Sequence, residues 1–153
     1  MRNIAILLPR LLSGMLAIIL SAAMSAACAG SDDSAENPQI LMKTTDGDIT
    51  IELYADKSPI TVENFLRYVD DGHYDGTVFH RVISNFMIQG GGFDTELKEK
   101  PTRDPIVNES KNKLHNTRGT LAMARTSDPD SAASQFFINQ RSNLRLDWSG
   151  GKD

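Results

Sequence analysis

Histidine and cysteine, two side chains that often perform enzyme chemistry, are few in this chain of 153 residues. The three histidines, His73, His80 and His115, do not stand at metal-ligand spacing from one another. A three-histidine zinc site assembled in space remains an open alternative. The single cysteine, Cys28, excludes an intramolecular disulfide and any zinc site built on several cysteines.

The common loop motifs for nucleophilic and phosphate chemistry are also absent. The chain has no Gly-x-Ser-x-Gly sequence, and the glycines at 90–92 are not followed by Gly-Lys-Ser/Thr or by a helix pattern. The most distinctive segment is 79–91, where large apolar side chains accompany one arginine, Arg81, and one glutamine, Gln89. Segments 119–124 and 134–139 have a similar character, so these three stretches are the candidates for a site.

The hydrophobic pattern predicts the elements that must position these residues. Two alternating runs around Asp46-Gly47 predict a β-hairpin, and Ser58-Pro59 followed by apolar residues at helical spacing predicts a helix that stops at Gly72. The further strand candidates are 77–82, 86–89, 120–124 and 135–139. Strands predominate over one convincing helix, which predicts a mainly β barrel or sandwich capped by a helix.

Three phrases of the sequence carry a family resemblance: 59–65 (PITVENF), 72–81 (GHYDGTVFHR) and 116–126 (NTRGTLAMART). Together with the apolar segments, they resemble the cyclophilin family of peptidyl-prolyl cis-trans isomerases, in the family's order, from about Ile40 to Asp147. The Ala-Arg-Thr ending of the third phrase resembles the exported bacterial branch. The resemblance implies a cyclophilin-like antiparallel β-barrel with capping helices, and rotation about Xaa-Pro bonds.

The chemistry of that rotation fits an arginine in an apolar setting. An Xaa-Pro bond turns slowly because its amide C–N bond has partial double-bond character, with a barrier of roughly 18–20 kcal/mol. No bond is broken, so no nucleophile, metal or cofactor is needed. A guanidinium that donates towards the prolyl nitrogen stabilises the twisted amide more than the planar ones. The resemblance assigns this catalytic role to Arg81.

The resemblance also implies a set of substrate-binding residues around Arg81: Phe86, Met87, Gln89, Ala124, Arg125, Gln135, Phe137 and Leu146. The apolar members would hold the proline ring, the two glutamines would supply polar contacts, and Ala124 with Arg125 would pair with the substrate backbone by strand addition. Each has a plainer alternative, since the apolar residues could be core and Arg81 a surface charge.

Two features depart from the family's pattern. Arg145 stands where the family usually has an aromatic residue at the rim of the pocket. The last residues, 146–153, run into a glycine-rich turn where family members continue with further barrel strands and a second helix. Because an antiparallel barrel must close, we expect the isomerase domain at 39–153 to be C-terminally truncated and its barrel incomplete. The alternative is a 153-residue product that folds poorly.

The first residues are typical of an export signal. Arg2 and Arg10 precede an apolar run that gives way to small residues, which predicts a signal peptide at 1–27. Ser25-Ala26-Ala27-Cys28 resembles a bacterial lipobox, so Cys28 is the predicted lipidation site, followed by a flexible tether at 28–38. An uncleaved membrane anchor and ordinary signal cleavage remain alternatives. The prediction is a periplasmic protein, held at a membrane through the lipid.

Charge and composition limit the partners. With 16 Lys+Arg against 20 Asp+Glu, the net charge of −4 gives no reason to expect nucleic acid. We expect the partners to be proline-containing unfolded or loop segments of exported proteins, and we expect a monomer. Two other functions remain open: a non-catalytic chaperone that binds proline peptides, and an inactive fragment.

Overall fold

The computed structural model describes residues 37–150. The predicted signal peptide, Cys28 and nearly all of the tether lie outside the described residues. The described part begins with the predicted hairpin, in which strands β1 (Gln39–Thr44) and β2 (Gly47–Glu52) pair antiparallel. The turn falls one residue earlier than predicted, because Gly47 already pairs with Thr44. Gly47 has a φ of 127°, a value that glycine adopts without strain.

Helix α1 (Pro59–Asp70) confirms the predicted helix, with Pro59 in its first turn and Gly72, at a φ of 65°, just beyond its end. Ser58 occupies the N-cap position, but its hydroxyl makes no capping bond and instead accepts from the Asn112 amide at 2.7 Å. The cap comes from Glu109. Its carboxylate accepts from the backbone N–H of Ile60 at 3.2 Å and from that of Thr61 at 2.7 Å.

Replacing Glu109 with alanine is therefore expected to lower the free energy of unfolding by about 1–2 kcal/mol, because it removes both a cap and a negative charge at the positive end of α1. Urea unfolding monitored by circular dichroism would measure this. Ser58→Ala is the matched control and should cost less, since that hydroxyl contacts no free N–H of the helix. Equal losses for the two variants would show that the carboxylate is not the cap.

The second sheet contains strands β3 (Arg81–Ile83), β4 (Met87–Gly90), β5 (Leu121–Met123) and β6 (Phe136–Asn139), in the order β3-β4-β6-β5. All neighbouring pairs are antiparallel. The predicted strand at 77–82 starts too early, because Thr77 forms only an isolated antiparallel bridge with Asp94 and the strand itself begins at Arg81. The predicted surface loop at 96–111 is largely irregular.

The hydrophobic core joins the two sheets through α1. Its buried members are Ile51, Leu53, Val62, Phe65 and Phe136. Phe136 packs edge-on against Phe65, Tyr74 and Phe79, with ring centroids 5.5–6.1 Å apart. The four-stranded sheet thus turns one face towards α1 and leaves the other face for a site.

The described residues give a mainly β fold with one α-helix and two short 3₁₀ turns, which confirms the predicted mainly β class and the one helix predicted from the sequence pattern. Their strands form two separate sheets that do not close into a barrel, and the predicted incomplete cyclophilin-like barrel stays a prediction. Within residues 37–150, no helix has the length and apolar character needed to cross a bilayer.

Candidate functional site

One face of the four-stranded sheet carries a row of paired residues. The register places Arg81 opposite Gln89, Gln89 opposite Phe137, and Phe137 opposite Ala122. Residues directly opposite each other in antiparallel strands project to the same face. Three predicted site residues therefore share one face, which we call the site face. The next row on it, two residues along each strand, pairs Met87 with Ile83 and Asn139.

The two neighbouring phenylalanines of β6 divide between the two faces. Phe136 is 3% exposed in the core against α1, and Phe137 is only partly buried and lies on the site face. Successive side chains of a strand point to opposite faces, so the register alone makes one ring structural and leaves the other available to a ligand.

A short relay of hydrogen bonds orients the arginine. The guanidinium of Arg81 donates to Oε1 of Gln89 at 3.3 Å, and Nε2 of Gln89 donates to Oε1 of Gln135 at 2.9 Å. Arg81 is exposed and, within residues 37–150, has no carboxylate within 4 Å. Its remaining donors can therefore turn towards a bound peptide, while Gln89 fixes one side of the guanidinium.

The relay depends on a glycine. A Cβ atom added to Gly92 would lie 2.5 Å from Cγ of Gln135, closer than any real Cβ contact. Only glycine at position 92 lets the Gln135 side chain lie where it meets Gln89. The glycine run therefore serves close packing, which agrees with the absence of a phosphate-binding motif.

Phe86 lies in the turn between β3 and β4, and the segment after β6 holds it there. The carbonyl oxygen of Phe86 accepts from the backbone N–H of Gln140 at 3.0 Å and from Nδ2 of Asn143 at 2.9 Å. Met87, the next residue, is 2% exposed, so little of its surface could meet a substrate in this structure. Of these two neighbouring residues, Phe86 is the more accessible one.

Buried asparagine side chains next to the Phe86 turn form a hydrogen-bond network that the sequence did not indicate. Asn143 donates to Oδ1 of Asn139 at 2.7 Å, and Asn139 donates to Oδ1 of Asn116 at 3.1 Å and to Oγ1 of Thr120 at 3.0 Å. Asn139 is 1% exposed and Asn143 is 6% exposed. Asparagine is common in turns, so nothing in their sequence context separates these two from ordinary loop residues.

Asp147 anchors the end of the same segment. Its carboxylate accepts from the backbone N–H of Asn116 at 2.8 Å, from the Asn116 amide at 3.0 Å and from Nδ1 of His115 at 2.8 Å. The Asn116 backbone bond, followed by His115, lowers the pKa of Asp147 below its usual range. The carboxylate therefore stays ionised and committed to the 115–116 turn.

The anchored segment presents Arg145 and Leu146 in a 3₁₀ turn, Leu144–Leu146. The guanidinium of Arg145 lies over the Phe86 ring, 4.7 Å from its centroid. Leu146 is 41% exposed beside it. Arg145, which stands where the family usually has an aromatic residue, thus places a positive charge against Phe86, whose ring was predicted to hold the proline.

The last two predicted substrate-binding residues follow β5, at the edge of the sheet. The backbone N–H of Ala124 donates to the Gln135 carbonyl at 2.8 Å, which extends the β5–β6 ladder past Met123. Arg125 comes next and is exposed. Strand addition to this edge would pair a peptide with β5, which then lies between the peptide and the strand that carries Phe137.

The three histidines have separate surroundings. His73 contacts the Gly91 carbonyl, the His80 ring packs at a tilt against the Phe93 ring, and His115 pairs with Asp147. Across residues 37–150, no group of three or more histidine, cysteine, aspartate or glutamate side chains could hold a metal ion.

Several known proteins share much of this sequence. Residues 39–149 match the sequence model of the family described as cyclophilin type peptidyl-prolyl cis-trans isomerase/CLD. The chain is 62% identical over 113 residues to a peptidyl-prolyl cis-trans isomerase of Acinetobacter baylyi, covering 74% of this chain and 60% of that protein. It is 56% identical over 111 residues to peptidyl-prolyl cis-trans isomerase B of Escherichia coli, covering 72% and 68%.

Solved structures give the same fold. A cyclophilin from Hirschia baltica superposes with a TM-score of 0.64 at 25% identity, covering 71% of this chain and 59% of that one. A cyclophilin-type isomerase of Cryptosporidium parvum, crystallised in the presence of the dipeptide Ala-Pro, gives a TM-score of 0.62 at 30% identity, with 72% of each chain covered. The roles of the individual site residues stay predictions.

Proposed function

The chain belongs to the cyclophilin-type peptidyl-prolyl cis-trans isomerase family, and we propose that it catalyses rotation about Xaa-Pro peptide bonds. It spans 60% of the Acinetobacter relative and 68% of the E. coli one. The observation that carries the proposal is the meeting of Arg81, Gln89 and Phe137 on the site face, with Gln135 completing the relay.

In the proposed mechanism, the proline ring lies against the apolar side chains of Phe86 and Phe137. Gln89 holds the guanidinium of Arg81 so that a free N–H donates to the prolyl nitrogen. That nitrogen has a localised lone pair only when the amide is twisted, so the hydrogen bond favours the transition state over both planar isomers. An arginine suits this task because it stays protonated and presents its donors in one rigid plane.

The proposed substrates are proline-containing segments that are unfolded or exposed in loops. The Ala-Pro dipeptide named with the Cryptosporidium structure supports a site that accepts a short proline segment. Within residues 37–150, β5 stands at an edge of its sheet, where it would hold the backbone of such a segment as an added strand.

We further propose that the protein acts as a monomer in the periplasm, as a member of the exported branch and held at a membrane by a lipid on Cys28. The support is the sequence alone: a basic start, an apolar run, a small-residue exit and one cysteine at the end of that exit. The predicted C-terminal truncation likewise stays a prediction.

The direct test is exchange spectroscopy by NMR on an Ala-Pro-Phe peptide with the full chain. Cross-peaks between the cis and trans forms that appear only with protein would support the proposed activity. Peptide that shifts on binding but shows no exchange would instead indicate a proline-binding chaperone, and a lack of both effects would contradict any use of the site.

A further inference from the structure

Besides Arg125 at the edge of the sheet, two guanidinium groups lie along the site face, and of these two only that of Arg81 has a role in the proposed reaction. Arg81 stands in the first row of the site face, and Arg145 lies over Phe86 beyond the second row. The two rows are about 7 Å apart along the strands. A short peptide seated on Phe86 and Phe137 would therefore pass between two positive charges.

The charge on Arg145 is held in place but not neutralised. Its contact with the Phe86 ring restricts a side chain that would otherwise sample many rotamers. Within the described part of the chain, no carboxylate lies within 4 Å of it. The nearest acidic residue in sequence, Asp147, is occupied by His115 and Asn116.

We propose that Arg145 makes this site select segments with an aspartate or glutamate beside the proline, an inference that rests on the proposed isomerase activity. A proline ring on Phe86 brings its neighbouring residue to the guanidinium that covers the same ring. A carboxylate there gains a planar, already ordered partner and can bind it through two hydrogen bonds. A lysine beside the proline is instead repelled by the positive charges of Arg81 and Arg145.

The expected selectivity is modest, because Arg145 is exposed to solvent. Exposed ion pairs contribute up to about 1 kcal/mol, which corresponds to about fivefold in kcat/KM between glutamate and glutamine. Repulsion of lysine adds to this, so the glutamate-to-lysine ratio should reach about tenfold at low salt. The ratio should fall as salt is added, because the Debye length shortens to about 3 Å at 1 M.

The test uses matched peptides with glutamate, glutamine or lysine immediately before or immediately after proline. Exchange rates are measured with the native chain and with the variants Arg145→Gln, Arg145→Lys and Arg67→Gln. Arg67→Gln also removes one positive charge, but from α1, which packs against the face of the four-stranded sheet opposite the site face. We expect Arg145→Gln to abolish the glutamate preference, Arg145→Lys to keep part of it, and Arg67→Gln to leave it intact.

Equal rates for the three residues with the native chain would overturn the inference, as would a preference that survives Arg145→Gln. If the native chain turns over none of the peptides, the proposed activity fails for this chain. The affinities of the same peptides, measured by NMR titration, then decide the inference. A glutamate preference that depends on Arg145 supports it, and equal affinities overturn it.

Discussion

Replacing Arg81 with alanine is expected to lower kcat/KM for Xaa-Pro isomerisation by a factor on the order of 10²–10³. This is the usual loss when one preorganised donor to a transition state is removed. The guanidinium of Arg81 bonds only Gln89 within the described protein, so its removal leaves the sheet and the core intact. Peptide affinity should change little, because the ring contacts at Phe86 and Phe137 remain.

Exchange spectroscopy measures the first effect and a peptide titration the second. Arg81→Lys tests the geometry, since it keeps the charge but loses the planar fork, and it should recover only a small part of the activity. Arg67→Ala is the matched control on α1. If Arg81→Ala isomerises the peptide as fast as the native chain, Arg81 is not catalytic; if affinity and rate fall together, it serves binding instead.

The second large effect is expected at Asn139, where leucine should lower the free energy of unfolding by about 2–4 kcal/mol. The amide of Asn139 bonds Asn116, Thr120 and Asn143 in a place that water does not reach. Leucine has the same number and branching of side-chain heavy atoms but leaves these partners unpaired, and each buried unpaired group costs about 1–3 kcal/mol. Whole domains are stable by only about 5–15 kcal/mol, so the loss is large.

Denaturant titration of the variant would measure the loss, with Asn37→Ala as a control whose single bond to Glu52 is exposed. Asn139→Leu should also slow isomerisation, because Asn143 then no longer fixes the Phe86 turn and the segment that carries Arg145 loosens. An unfolding curve that coincides with that of the native chain would mean that the network is not a source of stability.

The local elements could be predicted from sequence, because each has a local cause. The hairpin follows from alternation around a glycine, and α1 follows from Pro59, apolar spacing and Gly72. Long-range bonds could not be predicted in this way. Glu109 lies in a polar stretch that predicted only a surface loop, yet it caps a helix that begins 50 residues earlier.

The residues of the candidate site also differ in whether the sequence alone could indicate them. The resemblance implies Phe137 rather than Phe136 as a site residue, and the sheet register places the two rings on opposite faces, which the sequence alone could not show. Arg145 was visible only as a departure from the family's aromatic residue, and its position over Phe86 required the fold. Asn139 and Asn143 gave no signal, because a buried amide network becomes apparent only when its partners meet.

The close approach of Gly92 to Gln135 also limits how this sequence can change over evolutionary time. Any side chain at position 92 collides with Gln135 as it stands, whereas a shorter residue at position 135 would remove the collision and with it the support of Gln89. The effect of a substitution at one position therefore depends on the residue at the other. A substitution of Gly92 by alanine is expected only after Gln135 has been replaced by a smaller residue. We therefore expect the residues at positions 92 and 135 to vary together among related sequences.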